Sequence, residues 1–195
     1  LFQAVEAGHI KALWIMATNP VDSLPEADRV RAALDACPFV VVSDVTRHTD
    51  TTAHADVLLP AAAWGEKSGT VTNSERRISR QRSFLALPGA AQPDWWIIIQ
   101  VAQRMGFGAA FPYEHPADIY KEYAELSGRD NNGARDFDIS AHDAITLDEY
   151  EGLQPFQWPL SRHTESSARF FASGNYYTPD RRARFVAVRP APQAQ

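Results

Sequence analysis

The sequence predicts a parallel α/β sheet, and three observations predict it. Short apolar runs at 12–16, 39–42 and 57–59 have the continuity of strands buried on both faces. Turn-forming residues close each run: Thr18-Asn19-Pro20, then Ser43-Asp44, then Pro60. Between the first two runs the apolar residues recur at helical spacing. Strand, polar loop, helix, strand, polar loop, strand describes a partial doubly wound (Rossmann-like) parallel sheet with helices on both faces. In such sheets ligands lie beyond the carboxyl ends of the strands, which makes the closing residues the first candidates for a ligand-facing rim.

Each element has its own signal. LFQAVEAGHI reads as the end of a helix, with Phe2, Ala4 and Val5 on one face and Gly8 as its stop. Ser23-Leu24-Pro25-Glu26 has the form of a capping box with proline in the first turn. It is expected to start a helix that carries Val30, Ala33, Leu34 and Cys37 inward. A short helical turn is expected around Thr51–His54. The polar stretch WGEKSGTVTNSERRISRQR reads as a long rim loop and then an extended segment lying over the sheet. Pro93-Asp94 opens an amphipathic helix from Trp95 to about Met105, stopped by Gly106, with Asp94 as its N-cap. His115-Pro116-Ala117-Asp118 opens another, to about Leu126. Beyond Arg129 the pattern loosens, and FQWPL, SARFFASG and ARFVAV read as short extended pieces. The expected division is an α/β domain over 1–108 and a helical and irregular extension over 109–195, with the boundary near 108–114.

Composition limits what such a chain can do. With 195 residues, 45% hydrophobic and 22% charged, it is too apolar for intrinsic disorder and long enough for a real core. A net charge of −5 without a Lys/Arg block argues against nucleic acid as a partner. No apolar run approaches the roughly 18 residues that cross a bilayer, so no membrane partner is expected. One cysteine, Cys37, excludes a disulfide framework and any cysteine-rich metal site within these residues, and its place late in a helix fits a packed core thiol. His9, His48, His54, His115, His142 and His163 show no metal-ligand spacing. The chain opens at Leu1 without a leader pattern and is expected to be a piece of something longer.

The candidate residues each carry two readings. Asp44, at a strand end, can accept two parallel hydrogen bonds from a donor pair such as the guanine N1–H and N2–H₂ edge, or it can close a turn. Asn19 can bind a nucleotide or make an Asx turn. Lys67, beside Glu66, can neutralise a phosphate or simply be solvated surface. Asp94 reads locally as a helix cap. The basic stretch Arg76, Arg77, Arg80 and Arg82 can bind a pyrophosphate, pair with acidic groups of another domain, or stay in solvent. The chain contains no G-x-S-x-G, Walker or G-x-G-x-x-G pattern.

Taken together, IKALWIMATNP, FVVVSD, HADVLLPAAAWGEKSGTVTNSERRISRQR, PGAAQPDWW and QWP resemble the molybdopterin-dependent oxidoreductases of the dimethyl-sulfoxide-reductase type. Within that type they resemble the catalytic subunits of bacterial assimilatory nitrate reductases, over about residues 1–189. Ala55 to Arg82 is the most specific part, an ordered A-D-x-x-L-P followed by W-x-E-K-x-G-T-x-x-N-x-E-R-R. The resemblance implies reduction of nitrate to nitrite by a cytoplasmic enzyme carrying molybdenum-bis(molybdopterin guanine dinucleotide). It implies a 4Fe–4S cluster in an absent N-terminal part, and a flavoprotein or ferredoxin-type electron donor as partner. Cys37 matches none of the cluster or metal ligands. What the chain resembles is the later half of the domain that binds the guanosine end of one dinucleotide, leading toward an absent C-terminal β-barrel domain. By resemblance Asn19, Ser43, Asp44, Lys67 and Asp94 contact the dinucleotide, none of them catalytic. A formate dehydrogenase, a periplasmic nitrate reductase or a non-catalytic member would share these motifs. One departure stands out: relatives tend to read T-P-D-G-(K/R)-A-R-F where this chain has Thr178-Pro179-Asp180-Arg181-Arg182-Ala183-Arg184-Phe185. Without the glycine that hairpin is expected to be altered.

Overall fold

The structure is a computed structural model that describes residues 1–161, 169–172 and 174–189. His163 and three residues of the expected extended piece at 167–174 lie outside the described residues.

Three parallel strands form the first sheet in the order β1 (Leu13–Met16), β2 (Val40–Asp44), β3 (Val57–Pro60). Leu13 pairs with Val40 and Val41 with Val57, so all three carboxyl ends point the same way. Ile15, Val40 and Val42 share one face and pack beneath helices α1 (Phe2–Glu6), α2 (Pro20–Ser23) and α3 (Ala27–Ala36). Val5, Val21, Val30, Ala33 and Leu34 complete this core; each large aliphatic there contributes roughly 1.5–3 kcal/mol relative to exposure. Cys37 is buried at the end of α3, as its position suggested. Strand β3 differs from the expected buried strand. It is the edge of the sheet among the described residues, and Val57 and Leu58 remain exposed.

The start of α3 corrects the capping-box reading. Pro20, whose fixed φ suits a first helical turn, starts α2 early, so Ser23 ends that helix and its hydroxyl donates to the Asn19 carbonyl at 2.9 Å. Helix α3 begins at Ala27 instead, preceded by Glu26 in the left-handed region at φ 59°.

The polar stretch after Pro60 does not lie over the parallel sheet. It folds back as a hairpin of β4 (Gly69–Thr72) and β5 (Arg77–Gln81), extended by β6 (Phe156–Gln157) into a second, antiparallel sheet. The turn is made by Asn73, whose Oδ1 accepts from Glu75 N and Arg77 N at 2.9 and 3.0 Å. Ile78 from this sheet packs with Ala117, Tyr120 and Ala124 of α5 (Pro116–Gly128), with Ile139, and with Tyr150 of α6 (Leu147–Glu151). Helix α5 closes so tightly on the next turn that a Cβ at Gly128 would lie 2.4 Å from Ser140 Cβ.

Of the four arginines of the basic stretch, Arg80 turns inward, Arg76 is half-buried, and Arg77 and Arg82 are exposed. Arg80, with its side chain 2% exposed, reaches Glu151 at 2.7 Å and lies 4.4 Å over the Tyr150 ring. Arg82 donates to the Glu151 carbonyl, and Arg76 lies over Phe170 and donates to the Trp158 carbonyl. Arg80 is thus built into the second core, while Arg82 and Arg76 bond to backbone carbonyls at its margin. Near the C-terminus Arg181 itself takes the left-handed position, at φ 58°, and Tyr176 N donates to its carbonyl. Arg181 thus takes a backbone conformation that a glycine would adopt more easily. The piece ARFVAV beyond it forms no ladder, and Phe185 is exposed.

Candidate functional site

At the end of β1 the chain turns sharply. Ala17 adopts φ 54° while its N–H donates to the Ser43 carbonyl at 3.2 Å, which sets Thr18 and Asn19 beyond the sheet. Pro20 then fixes the start of α2, and the Asn19 carbonyl accepts from Asp22 N and Ser23 N. The Asn19 side chain takes no part in capping. Its Oδ1 accepts from Thr51 Oγ1 at 2.5 Å and from Thr51 N at 3.2 Å. A backbone N–H can only donate, so the oxygen of the amide faces Thr51 and Nδ2 is left without a partner among the described residues.

At the end of β2, Asp44 Oδ1 accepts from Thr46 N at 2.8 Å. That single bond closes an Asx turn. It also fixes the carboxylate and leaves Oδ2 without a partner among the described residues. Ser43 is wholly buried, and its Oγ accepts from Trp14 Nε1 at 2.9 Å. The two side chains lie diagonally across one face of the β1–β2 pair.

The third side comes from farther along the chain. Ala61 bridges to Gln92 in parallel register, with Gln92 N bonded to the Pro60 carbonyl and Ala62 N to the Gln92 carbonyl. This draws the start of α4 (Asp94–Ala102) alongside the end of β3. Lys67 follows the 3₁₀ turn Trp64–Glu66, and its Nζ lies 2.8 Å from Asp94 Oδ2, each side chain about a third exposed at 31% and 28%. Asp94 is not the N-cap. Pro93 holds that position, and Asp94 is the first residue inside the helix, where the macrodipole favours a carboxylate and Lys67 can reach it.

Thr18, Asn19, Asp44, Thr49, Lys67 and Asp94 line one cleft of about 360 Å³ beyond the strand ends, with Ala17 and Ser43 in its floor. All five residues singled out from the sequence thus lie around a single hollow. A larger hollow, about 520 Å³, lies between Tyr123, Leu126, Arg135 and Phe137, well away from the rim. The cleft at the strand ends presents an amide donor, a carboxylate acceptor and an ammonium held by a second carboxylate. That set suits a ligand carrying donors and acceptors on one edge. Sequence reasoning missed Thr51 and Trp14, which hold Asn19 and Ser43. A threonine within Thr49-Asp50-Thr51-Thr52 carries no local mark of burial, and only the fold brings it to Asn19 from 32 positions away.

A parallel sheet with a polar cleft at its carboxyl ends is the ligand rim of a doubly wound α/β domain. A family profile described as "Molybdopterin oxidoreductase" matches residues 1–104, and the chain belongs to that family. It is similar to a nitrate reductase of Klebsiella oxytoca, with 48% identity over 192 residues, 98% of this chain and 22% of that protein. It is also similar to a formate dehydrogenase alpha subunit of Methanocaldococcus jannaschii, with 33% identity over 180 residues, 92% of this chain and 25% of that protein. The chain therefore spans about a quarter or less of the length of these relatives. Among solved structures it is similar in fold to acetylene hydratase from Pelobacter acetylenicus, with a TM-score of 0.62 and 21% identity over 93% of this chain and 23% of that one.

Proposed function

We propose that the cleft holds the guanosine end of one molybdopterin guanine dinucleotide. In this reading the free Oδ2 of Asp44 accepts from the guanine edge, and Asn19 Nδ2 donates to the nucleoside. Lys67 and Asp94 grip the polar part beyond it as a joined pair. Ser43 acts from beneath, by keeping Trp14 in place. The observation that supports the reading is the convergence of these residues on one hollow, with unpartnered groups of opposite sense on Asn19 and Asp44. The molybdenum centre, when bound to the parent protein, supplies the redox and oxygen-transfer chemistry; residues of this chain bind and orient the nucleotide end and touch no reacting atom.

For the parent protein we propose reduction of nitrate to nitrite in the cytoplasm. Its electrons would come from a flavoprotein or ferredoxin-type donor through a 4Fe–4S cluster carried on other residues. The 48% identity to a protein named nitrate reductase supports this substrate. The 33% identity to a formate dehydrogenase subunit supports the second reading, a formate-oxidising parent. We also propose the division into a dinucleotide-binding part, 1–108, and an extension, 109–195.

Calorimetric titration of the chain with GMP and AMP tests the cleft. GMP is expected to bind more tightly than AMP. Asp44→Ala is expected to weaken GMP by about tenfold to a hundredfold, the range for a hydrogen bond to a charged group. Equal or absent GMP binding in both proteins would overturn the reading. The same preparation, given reduced viologen, is expected to leave nitrate unchanged.

A further inference from the structure

Thr51 touches neither solvent nor the cleft, yet it controls the group that Asn19 offers. It is 0% exposed and lies in the β2–β3 connection, against Asn19. Three bonds converge there: Thr51 Oγ1 donates to Asn19 Oδ1 at 2.5 Å, Thr51 N donates to the same oxygen at 3.2 Å, and Val21 N donates to Thr51 Oγ1 at 3.2 Å. The Thr51 hydroxyl accepts from Val21 N–H through one lone pair and donates its hydrogen to Asn19 Oδ1. The backbone N–H of Thr51 removes the flipped rotamer, because flipping would bring the NH₂ against a group that can only donate, and the hydroxyl bond holds the amide in the orientation so chosen. We propose that Thr51 is a positioning residue that makes Asn19 an obligate hydrogen-bond donor to the nucleotide, so that the ligand atom at that point must be an acceptor.

This rests on the cleft being a guanosine site, and the test separates the two. GMP affinity is measured for wild type, Thr51→Ser, Thr51→Val, Asn19→Ala and the double variant Thr51→Val/Asn19→Ala, with thermal melting to confirm folding. Thr51→Val is expected to weaken GMP about tenfold in the wild-type background and less than twofold in the Asn19→Ala background, while Thr51→Ser stays near wild type. A merely structural role would weaken binding equally in both backgrounds and would overturn the inference while leaving the guanosine reading intact. A wild-type chain that binds no GMP would overturn both. Asn19→Asp guards against misfolding of the valine variant, since aspartate still accepts both Thr51 bonds but cannot donate. With uncharged guanosine as probe it is expected to fold and to bind about as weakly as Asn19→Ala. Binding equal to wild type would overturn the donor role.

Discussion

Ala17 is the most constrained single residue of the cleft. It stands at φ 54° at the end of β1, where a β-branched side chain would collide with its own backbone. Ala17→Val is expected to cost about 1–2 kcal/mol, while Ala17→Gly is expected to stay within about 0.5 kcal/mol of wild type, its easier native φ offset by a freer unfolded chain. Urea denaturation of the two variants checks this, and a valine variant as stable as the glycine one would contradict it. At this scale the rim was legible in part. Asn19 and Asp44 announced themselves as polar residues closing apolar runs. Lys67 and Asp94 did not, because their meeting depends on the Ala61–Gln92 bridge, a tertiary contact with no local signature. Asp94 was drawn to a capping role by its neighbours, but proline ahead of it already holds the cap position.

Among the elements, the first sheet follows from its apolar runs, while the second was hidden. Its strands are short and polar on one face, and β6 pairs with β5 from nearly eighty positions farther along the chain. The arginines of β5 looked like a ligand patch because sequence does not reveal that Glu151 and Tyr150 lie opposite Arg80. The same packing creates a pH response. His142 is half-buried, meets Tyr120 Oη of α5 at 2.7 Å through Nδ1, stands edge-on to Phe156 of β6, and is faced by Glu149 of α6. Burial pushes its imidazole below the ordinary 6.5, with Glu149 opposing. The unfolded chain therefore takes up this proton near 6.5, and the folded chain only at lower pH. Between those two values the unfolded state binds more protons, so stability falls as pH drops, whereas above about 6.5 the group contributes no slope. His142→Gln is expected to lose less stability than wild type between about pH 7 and about pH 5, read from denaturation midpoints. Parallel curves for the two proteins would show that His142 carries none of the slope.

For the molecule as a whole, the sequence told more about where a ligand goes than about how the second half is built. The rim depends on strand ends, which a pattern of apolar runs and turn residues specifies. The extension depends on side chains meeting across long separations, as when Arg76 reaches Trp158. The charge of the cleft adds a property of a different kind. Its lining holds two carboxylates, Asp44 and Asp94, against one ammonium, Lys67. The lining therefore offers a phosphate-bearing nucleotide no net positive charge of its own, and so no local attraction for salt to screen. GMP affinity is expected to stay level or rise as ionic strength goes from about 0.05 to about 0.5 M, where a basic phosphate site would weaken. A steep fall with salt would mean that positive charge elsewhere governs capture. A cleft of this kind is suited to a cofactor seated once and then kept, rather than one exchanged repeatedly with the surrounding solution.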